Sequence, residues 1–470
     1  MKGIFRQLFQ SVRFVSLQQS NWRSMKHSRF SRLILWLLLA MPGTTFQIDA
    51  QNPQGNSSAA QNGDKEQLKL VVILSRHGVR SPTWAQDRLD TYSALPWPKW
   101  SVAPGYLTPR GFDLVKAFGR FDRASFAKNG LVAESGCADG ARTYIWADTD
   151  QRTMESGRAM AEGLFPSCPP AVHSLAAGEN DPLFHPAHRG RQLEAKPVKT
   201  ALKSEGASQP DREQSELLTE MQRVLMGCPP ERACTSVHVP QSSLLGTPNS
   251  AGNRDGDSVP TVRGPLAQAS SFAEDFLLEY AEGMPNDQVG WGRVDEPQLR
   301  RFLALHSENF DLTHRTTAAA RLEASNMLFH ILRTLDQGVE QRPVEDAVGP
   351  VNNKIVVLVG HDTNLAGVAA LLGLHWTLDG RRDDTPPGTE LTFELWQNES
   401  GAYFVRATVA MQTLKQMREL RELSLDTPPA REVLTVDERG TDANTCRWDD
   451  FQGIVNAAID KSSVFKFQPN

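Results

Sequence analysis

Two short apolar runs, far apart in the chain, most constrain how it can fold. Residues 68–75 read Leu-Lys-Leu-Val-Val-Ile-Leu-Ser, and residues 354–360 read Lys-Ile-Val-Val-Leu-Val-Gly. Continuous runs of this length, rich in β-branched residues, are typical of parallel strands that are covered on both faces of a sheet. The sequence therefore predicts that these two strands lie inside a layered fold.

Helical patterns separate and follow these strands. Helices are predicted from Thr108, which precedes a proline suited to a first helical turn, and from apolar spacing over 150–164, 265–282 and 316–335. Further strands are predicted at 390–397 and 403–412. Strands alternating with helices indicate an α/β fold with a layered sheet.

The middle of the chain differs from this pattern. Residues 190–260 are polar and rich in Ser, Pro and Gly, and we expect loops and short helices there. The α/β domain is accordingly predicted in two parts, 67–195 and 320–470, with a mainly helical insertion at 196–319.

The N-terminus resembles an export signal. Residues 33–41 form an apolar run preceded by Lys26, Arg29 and Arg32. This run is too short to span about 30 Å of hydrocarbon but fits the apolar core of a signal peptide. We expect a signal peptide over 1–50, read from Met1 or Met25, and a flexible linker over 51–66. A periplasmic or secreted protein without a stable membrane anchor is predicted.

Charge and cysteine content narrow the function classes. Lys and Arg total 50 against 55 Asp and Glu, so the net charge of -5 gives no general attraction for nucleic acid. The five cysteines include no CxxC pair, which makes a structural zinc site a poor expectation. In an exported protein, we favour the sequence-local disulfides Cys137–Cys168 and Cys228–Cys234 among three connectivities, with Cys446 left over.

A histidine-containing loop follows each of the two apolar strands. Arg76, His77 and Arg80 stand directly after the first, and His361 and Asp362 directly after the second. Ligands of open α/β sheets bind beyond the carboxyl ends of the strands, so the two loops are predicted to converge in one pocket.

The residue types in this pocket favour an anion. Arg76 and Arg80 flank His77 with planar guanidinium groups that suit phosphate oxygens. Arg152, at the start of a predicted helix, is expected to point into the same pocket, and Thr83 adds a hydroxyl donor. Such a positive site predicts a phosphoryl or sulfuryl ligand.

These residues also predict a mechanism. Flanking cations disfavour protonation of His77, which can then attack phosphorus as a neutral imidazole. Beside a bound phosphate, Asp362 is expected to have a raised pKa and to protonate the leaving group, while His361, if cationic, is a further phosphate ligand. The prediction is an acidic optimum with no metal and no cofactor.

At this point the chain resembles a known family, the histidine acid phosphatases, in the branch of bacterial periplasmic phytases and glucose-1-phosphatases. The resemblance covers roughly 68–457 and rests on Arg76 to Pro82 and His361-Asp362, with four further motifs: Leu107-Thr108-Pro109-Arg110-Gly111, Asp181-Pro182-Leu183-Phe184, Gly290-Trp291-Gly292-Arg293 and Asp384-Thr385-Pro386-Pro387-Gly388. It implies a phosphoglycerate mutase-like, three-layer α/β/α sandwich with a central, mainly parallel sheet and a smaller, mainly helical domain.

The resemblance also implies roles for individual residues. His77 would be the nucleophile and Asp362 the proton donor. The phosphate clamp would comprise Arg76, Arg80, Arg152 and His361. Glu274 stands where phytases place an acid that contacts substrate, although an acid on an amphipathic helix usually lies on a solvated face. Trp84 departs from the family, since phytases often have a basic residue there, and Cys446 lacks its expected partner.

Three functions remain open from the sequence. The favoured one is an acid phosphatase acting through phosphohistidine, with phytate as its most favoured substrate. The second is a glucose-1-phosphatase or broad-specificity acid phosphatase of the same fold. The third is a non-catalytic protein that binds a phosphorylated ligand. A small phosphorylated substrate and a monomeric chain are expected.

Overall fold

A computed structural model of the chain describes residues 66–186, 199–200, 212–227, 242–245, 248–252, 261–436 and 445–467. Its strands are β1 (Gln67–Arg76), β2 (Thr143–Ala147), β3 (Val172–His173), β4 (Ser250–Gly252), β5 (Thr261–Arg263), β6 (Ile355–Gly360), β7 (Thr377–Leu378), β8 (Arg381–Arg382), β9 (Glu390–Gln397), β10 (Tyr403–Met411), β11 (Ala430–Leu434) and β12 (Cys446–Arg447). Its helices are α1 (Gln86–Asp90), α2 (Pro109–Lys128), α3 (Gln151–Leu164), α4 (Arg212–Met226), α5 (Pro265–Ala281), α6 (Glu296–Thr313), α7 (Thr317–Glu340), α8 (Asp362–Leu371), α9 (Leu414–Glu419) and α10 (Trp448–Ala458).

The two apolar runs pair with each other at the centre of the main sheet. The strand order is β11-β10-β9-β1-β6-β2-β3, and β12 also pairs with β10. Strand β6 is parallel to both β1 and β2, and β2 is parallel to β3. On the other side of β1, the pairs β1–β9 and β9–β10 are antiparallel. The predicted α/β class and the buried parallel pair are confirmed.

Alternate side chains of β1 enter two different cores. Leu70, Val72 and Leu74 pack in the core that contains α7 and α8 residues. Val71 and Ile73 point to the other face, where α2 and α3 residues cover them. Because neighbouring strand residues face opposite ways, this arrangement produces three layers, helices on each side of one sheet.

A third core lies among the helices outside the sheet. It joins residues of α4, α5 and α6, with Phe272 and Phe276 of α5 fully buried. Our expectation of short helices at 190–260 is wrong for α4, a four-turn helix whose buried Leu217, Leu218 and Met221 were not recognised. The limits of the 196–319 insertion stay a prediction, since part of that range lies outside the described residues.

Helix starts agree with their sequence signals in most cases. Thr108 caps α2 by accepting a hydrogen bond from the Gly111 amide, and Pro109 occupies the first turn. Asp150 precedes α3 but does not cap it, and its carboxylate pairs instead with Arg152 at 2.6 Å. Helix α7 continues to Glu340, five residues beyond the predicted end at 335.

Several predictions about export fall on residues that the structure does not describe. These are the signal peptide at 1–50, nearly all of the 51–66 linker, and both Cys228 and Cys234. The structure does contain the Cys137–Cys168 disulfide, and Cys446 is a buried thiol in β12. Among the described helices, none has the length and apolar content that crossing a membrane requires.

Two carboxyl groups meet in the interior between α2 and the sheet. Asp122 of α2 hydrogen-bonds to Glu390 at the start of β9, and both are at least 95% buried. Burial raises the pKa of Asp122 to about 7, and burial together with the Asp122 charge raises the pKa of Glu390 well above its usual value. The pair therefore holds a proton at pH values where exposed carboxyls are ionised.

This pair predicts that stability falls as the pH rises. Between the unfolded pKa of 3.8 and about 7, the folded chain binds more protons than the unfolded chain, so its stabilisation is complete below that window and lost across it. Asp122→Asn should raise the free energy of unfolding at pH 8 by about 1–3 kcal/mol and change it little at pH 4. Urea unfolding at both pH values measures this, with the exposed Asp113→Asn on the same helix as the control. A gain independent of pH would contradict it.

Candidate active site

The register of the central strands brings the two histidine loops together. Arg76, the last residue of β1, lies opposite Gly360, the last residue of β6. The backbone amide of His77 donates to the Gly360 carbonyl at 3.0 Å. The rings of His77 and His361 lie 5.6 Å apart between centroids, nearly perpendicular to each other. The convergence predicted from the strand ends is therefore present.

Two glycines allow the first loop to pack tightly on the start of α2. A Cβ atom at Gly78 would lie 2.7 Å from the Gly111 carbonyl oxygen, and one at Gly111 would lie 2.1 Å from that of Val79. Heavy atoms do not approach this closely, so neither position accepts a side chain without displacing the backbone. Both glycines are therefore needed for the loop to pack this closely on α2.

His77 is buried and oriented by a single backbone contact. Its Nδ1 lies 2.9 Å from the Gly78 carbonyl oxygen. Because a carbonyl only accepts, Nδ1 carries the proton in the neutral ring and Nε2 keeps its lone pair. Burial, followed by the charges of Arg76, Arg152 and Arg80, lowers the pKa of His77 well below its ordinary value. The ring therefore stays neutral even in mild acid, and its Nε2 keeps an unshared electron pair.

Three guanidinium groups surround His77. Arg76 and Arg80 are buried, and the side chain of Arg152, in the first turn of α3, is 20% exposed. Among the described residues, the Nε atoms of all three are buried without a hydrogen-bond partner. Unpaired buried donors are unfavourable, and an anion with several oxygen acceptors would satisfy them. Arg152 was expected to point into this pocket, and it does.

Two acids contact these arginines. Asp362, the first residue of α8, lies 2.8 Å from Nη2 of Arg76. Glu274 of α5 bridges the pair, bonding Arg76 through Oε1 and Arg80 through Oε2, the latter at 3.0 Å. The expectation that Glu274 lies on a solvated helix face is therefore wrong, since its side chain is only 14% exposed. Glu274 occupies N–H groups that a phosphate would need.

The protonation of Asp362 differs from the expectation for a phosphate complex. Burial raises the pKa of its carboxyl, but interactions with Arg76 above all, and with His306 and His361, outweigh burial and hold the pKa below its ordinary range. In this structure Asp362 is an ionised partner of Arg76. A raised pKa beside a bound phosphate stays a prediction, because a phosphate would compete for Arg76 and add negative charge.

Sequence reasoning missed two residues next to His361, and one of them, Asp148, holds its ring. Asp148 Oδ2 lies 2.6 Å from Nε2 of His361 and 2.8 Å from Nε2 of His185. Burial raises the pKa of Asp148, but its contacts with both histidines outweigh burial and lower the pKa below its ordinary value. The carboxylate is therefore ionised and accepts a hydrogen bond from each ring. Nε2 of His361 therefore carries a proton, and its Nδ1 faces Arg152 Nη2 at 3.5 Å.

The charge of His361 differs from the cationic form that we considered. Burial lowers the pKa of His361, and the nearby Arg152 lowers it again, against the opposing effect of Asp148. Asp148, His185 and His361 offer ligand atoms within 4.8 Å of one another, so this group could hold a metal ion. Hydrogen bonds from both histidines to Asp148 already satisfy these atoms. That the protein requires no metal stays a prediction.

Thr83 stands at the rim rather than inside the cluster. It is exposed, and a Cβ atom built on Gly105 would lie 3.7 Å from both Thr83 Cγ2 and Arg152 Nη1. The predicted contact between the Thr83 hydroxyl and a bound anion stays a prediction.

A cavity opens from the arginine cluster toward the helices. Its volume is about 480 Å³, in the range that small-molecule ligands occupy. Arg80, Glu274 and Asp362 form its inner end, and Trp84 and Arg88 line its outer part. A ligand anchored by one phosphate at His77 would extend into this cavity.

Comparison with known proteins gives one consistent family. The family model described as histidine phosphatase superfamily (branch 2) matches residues 67–410. The chain is 37% identical over 414 residues to Phytase AppA of Escherichia coli (strain K12), covering 86% of this chain and 94% of that protein. It is 28% identical over 404 residues to a glucose-1-phosphatase of Providencia rettgeri, covering 84% and 92%. The Hafnia alvei phytase in complex with myo-inositol hexakis sulphate superimposes with a TM-score of 0.74 and 33% identity, covering 85% and 99%.

Proposed function

This chain belongs to branch 2 of the histidine phosphatase superfamily and hydrolyses phosphate monoesters, and from that premise we propose that His77 is its nucleophile and phytate its preferred substrate. The observation that carries the proposal is the His77 ring. Its Nδ1 is tied to the Gly78 carbonyl, and its Nε2 faces a site with three guanidinium groups. A neutral nucleophile beside an anion site suits phosphoryl transfer.

In the first step, Nε2 of His77 attacks the phosphorus atom of the ester. An N–P bond forms as the bond from phosphorus to the ester oxygen breaks. Arg76, Arg80 and Arg152 bind the three non-bridging oxygens and stabilise the charge that develops on them. For this the phosphate replaces the Glu274 carboxylate on Arg76 and Arg80.

The departing oxygen needs a proton, and Asp362 is placed to supply it. Its carboxylate lies beside Arg76, within the same cluster as His77. A phosphate that takes over Arg76 removes the partner that keeps Asp362 ionised, so the carboxyl can enter the reaction protonated at acidic pH. Asp362 then protonates the leaving alkoxide and becomes a carboxylate.

In the second step, water releases the phosphate from His77. The Asp362 carboxylate accepts a proton from the attacking water, the new P–O bond forms and the N–P bond breaks. Inorganic phosphate and neutral His77 are produced. His361 donates its Nε2–H to Asp148 and presents Nδ1 to Arg152, so it acts on the phosphate by positioning that arginine.

Phytate is favoured over a sugar monophosphate by the cavity. The outer part holds cationic Arg88; His314 also lines the cavity, but it is paired with Glu323 at 2.9 Å. Positive charge away from the reacting phosphate gives no advantage to a monophosphate, but it attracts the remaining phosphates of phytate. The higher identity to the phytase than to the glucose-1-phosphatase supports the same choice.

We also propose that the protein works outside the cytoplasm, in the periplasm or as a secreted enzyme. The apolar run at 33–41 with its preceding basic residues supports export. The disulfide between Cys137 and Cys168 supports an oxidising compartment.

The proposed function is tested by phosphate release at acidic pH in EDTA, from phytate and from glucose 1-phosphate. We expect release from both, with kcat/KM for phytate at least about tenfold higher, the equivalent of one additional ionic contact. A preference for glucose 1-phosphate would favour the second function. A wild-type chain that binds phosphate but releases none from either ester would contradict catalysis and favour the non-catalytic binder.

A further inference from the structure

Arg88 lies at the outer end of the catalytic cavity, away from the reacting phosphate. The cavity is continuous from Arg80, Glu274 and Asp362 to Trp84 and Arg88. Arg88 belongs to the short helix α1, which follows the histidine loop. A substrate held at His77 therefore places its distal groups near this side chain.

The guanidinium of Arg88 stacks on Trp84. Its central carbon lies 3.5 Å from the centroid of the indole ring. Trp84 is itself supported from behind, with its ring 5.9 Å from Phe272 and 6.1 Å from Tyr92 between centroids. Cation–π contact with a supported ring restrains a side chain that is otherwise exposed. Arg88 is thus partly oriented before a ligand arrives.

The positive charge of Arg88 also lines the cavity. No acidic side chain of the described residues forms an ion pair with its guanidinium; Asp87 accepts a hydrogen bond from the backbone amide of Arg88 instead. One face of a stacked guanidinium lies on the indole, but its N–H groups lie at the edge, in the plane of the group. These edges remain accessible to an anion in the cavity.

We infer that Arg88, stacked on Trp84, binds a second phosphate of the substrate and thereby selects polyphosphorylated esters over monophosphates. This inference rests on the proposed phytase function. It also accounts for Trp84, which stands where a basic residue is usual in phytases. Here the aromatic ring carries the cation, which comes from the residue four positions later. Two in-plane N–H groups can hold two phosphate oxygens while the indole contact is kept.

Arg88→Gln and Arg88→Lys test this inference on three substrates: phytate, glucose 1-phosphate and p-nitrophenyl phosphate. For Arg88→Gln we expect kcat/KM for phytate to fall about tenfold, mainly through KM, and to change less than about twofold for both monophosphates. Arg88→Lys keeps the charge but loses the planar fork, so its loss should be smaller. Arg447→Gln, an exposed arginine of β12, is the charge control and should leave all three unchanged.

A binding measurement separates this inference from the proposed function. Myo-inositol hexakis sulphate, a polyanion that presents several groups at once, should bind Arg88→Gln about tenfold more weakly than wild type, whereas inorganic phosphate should bind both equally. The weaker binding should diminish in high salt. The inference would be overturned if Arg88→Gln and wild type bound hexakis sulphate equally well. It would also be overturned if Arg88→Gln lost the same factor in kcat/KM on all three substrates. A wild type that hydrolyses none of the substrates would overturn the proposed function alone, because the binding comparison still decides on Arg88.

Discussion

Replacing His77 with alanine should lower kcat for phosphate release by at least about 10⁴-fold, as expected when a covalent nucleophile is removed. The reason is structural as well as chemical. Nδ1 of His77 carries the proton that faces the Gly78 carbonyl, so Nε2 keeps the lone pair that attacks phosphorus. The three arginines only hold and polarise the phosphate. Steady-state assays with phytate and glucose 1-phosphate measure the loss.

The His77 variant needs evidence that its pocket is intact. His77 is 2% exposed, so alanine leaves a small cavity, and His77→Asn provides a variant closer in size. Both should bind myo-inositol hexakis sulphate with affinity near that of wild type, since the arginines remain. His173→Ala, which changes an exposed histidine of β3, should retain full activity. Retained turnover in either His77 variant would exclude His77 as the nucleophile.

Replacing Asp362 with asparagine should lower kcat by a factor that depends on the leaving group of the substrate. For phytate and glucose 1-phosphate, whose alkoxides need a proton, kcat should fall by about 10²–10⁴-fold. For p-nitrophenyl phosphate, whose leaving group is stable as an anion, the loss should stay below about tenfold if phosphorylation of His77 limits the rate. Single-turnover measurement of the first step gives the cleanest comparison of the three esters.

The same experiment distinguishes proton transfer from support of Arg76. Asp362 pairs with Arg76 at 2.8 Å, so its loss could act through the guanidinium. That effect would lower kcat equally for all three esters, because each places the same phosphoryl group at Arg76. An equal loss on all three would therefore contradict the general-acid role. A pH profile provides a second check, since the acidic limb assigned to Asp362 should change in Asp362→Asn.

Much of the site was predictable because it follows the ends of strongly patterned strands. The buried runs that become β1 and β6 identify themselves by composition, and parallel pairing brings their following residues together. Arg76, His77, Arg80, His361 and Asp362 are all found in this way. The cap at Thr108 and the apolar spacing of α5 gave helix positions by local signals alone.

The residues that sequence reasoning missed depend on contacts between distant segments. Asp148 follows β2, a short strand that was not predicted, and its backbone amide bonds to the Val359 carbonyl of β6. Had β2 been recognised, the strand-end rule would have included Asp148. Glu274 was misjudged because amphipathic spacing does not show which partner covers a polar position, here the arginines of the first loop. His185 directly follows the Asp181 to Phe184 motif, but only the fold brings it to Asp148.

Trapping the phosphorylated enzyme tests most directly whether His77 is the nucleophile. Wild-type protein is mixed with saturating p-nitrophenyl phosphate at acidic pH, denatured rapidly in alkali, which preserves phosphohistidine, and digested for peptide mapping. We expect a phosphoryl group on His77 that is lost on acid treatment and absent from His77→Asn. A phosphoryl group on another residue, or turnover with an initial burst of nitrophenol but no phosphorylated His77, would contradict it.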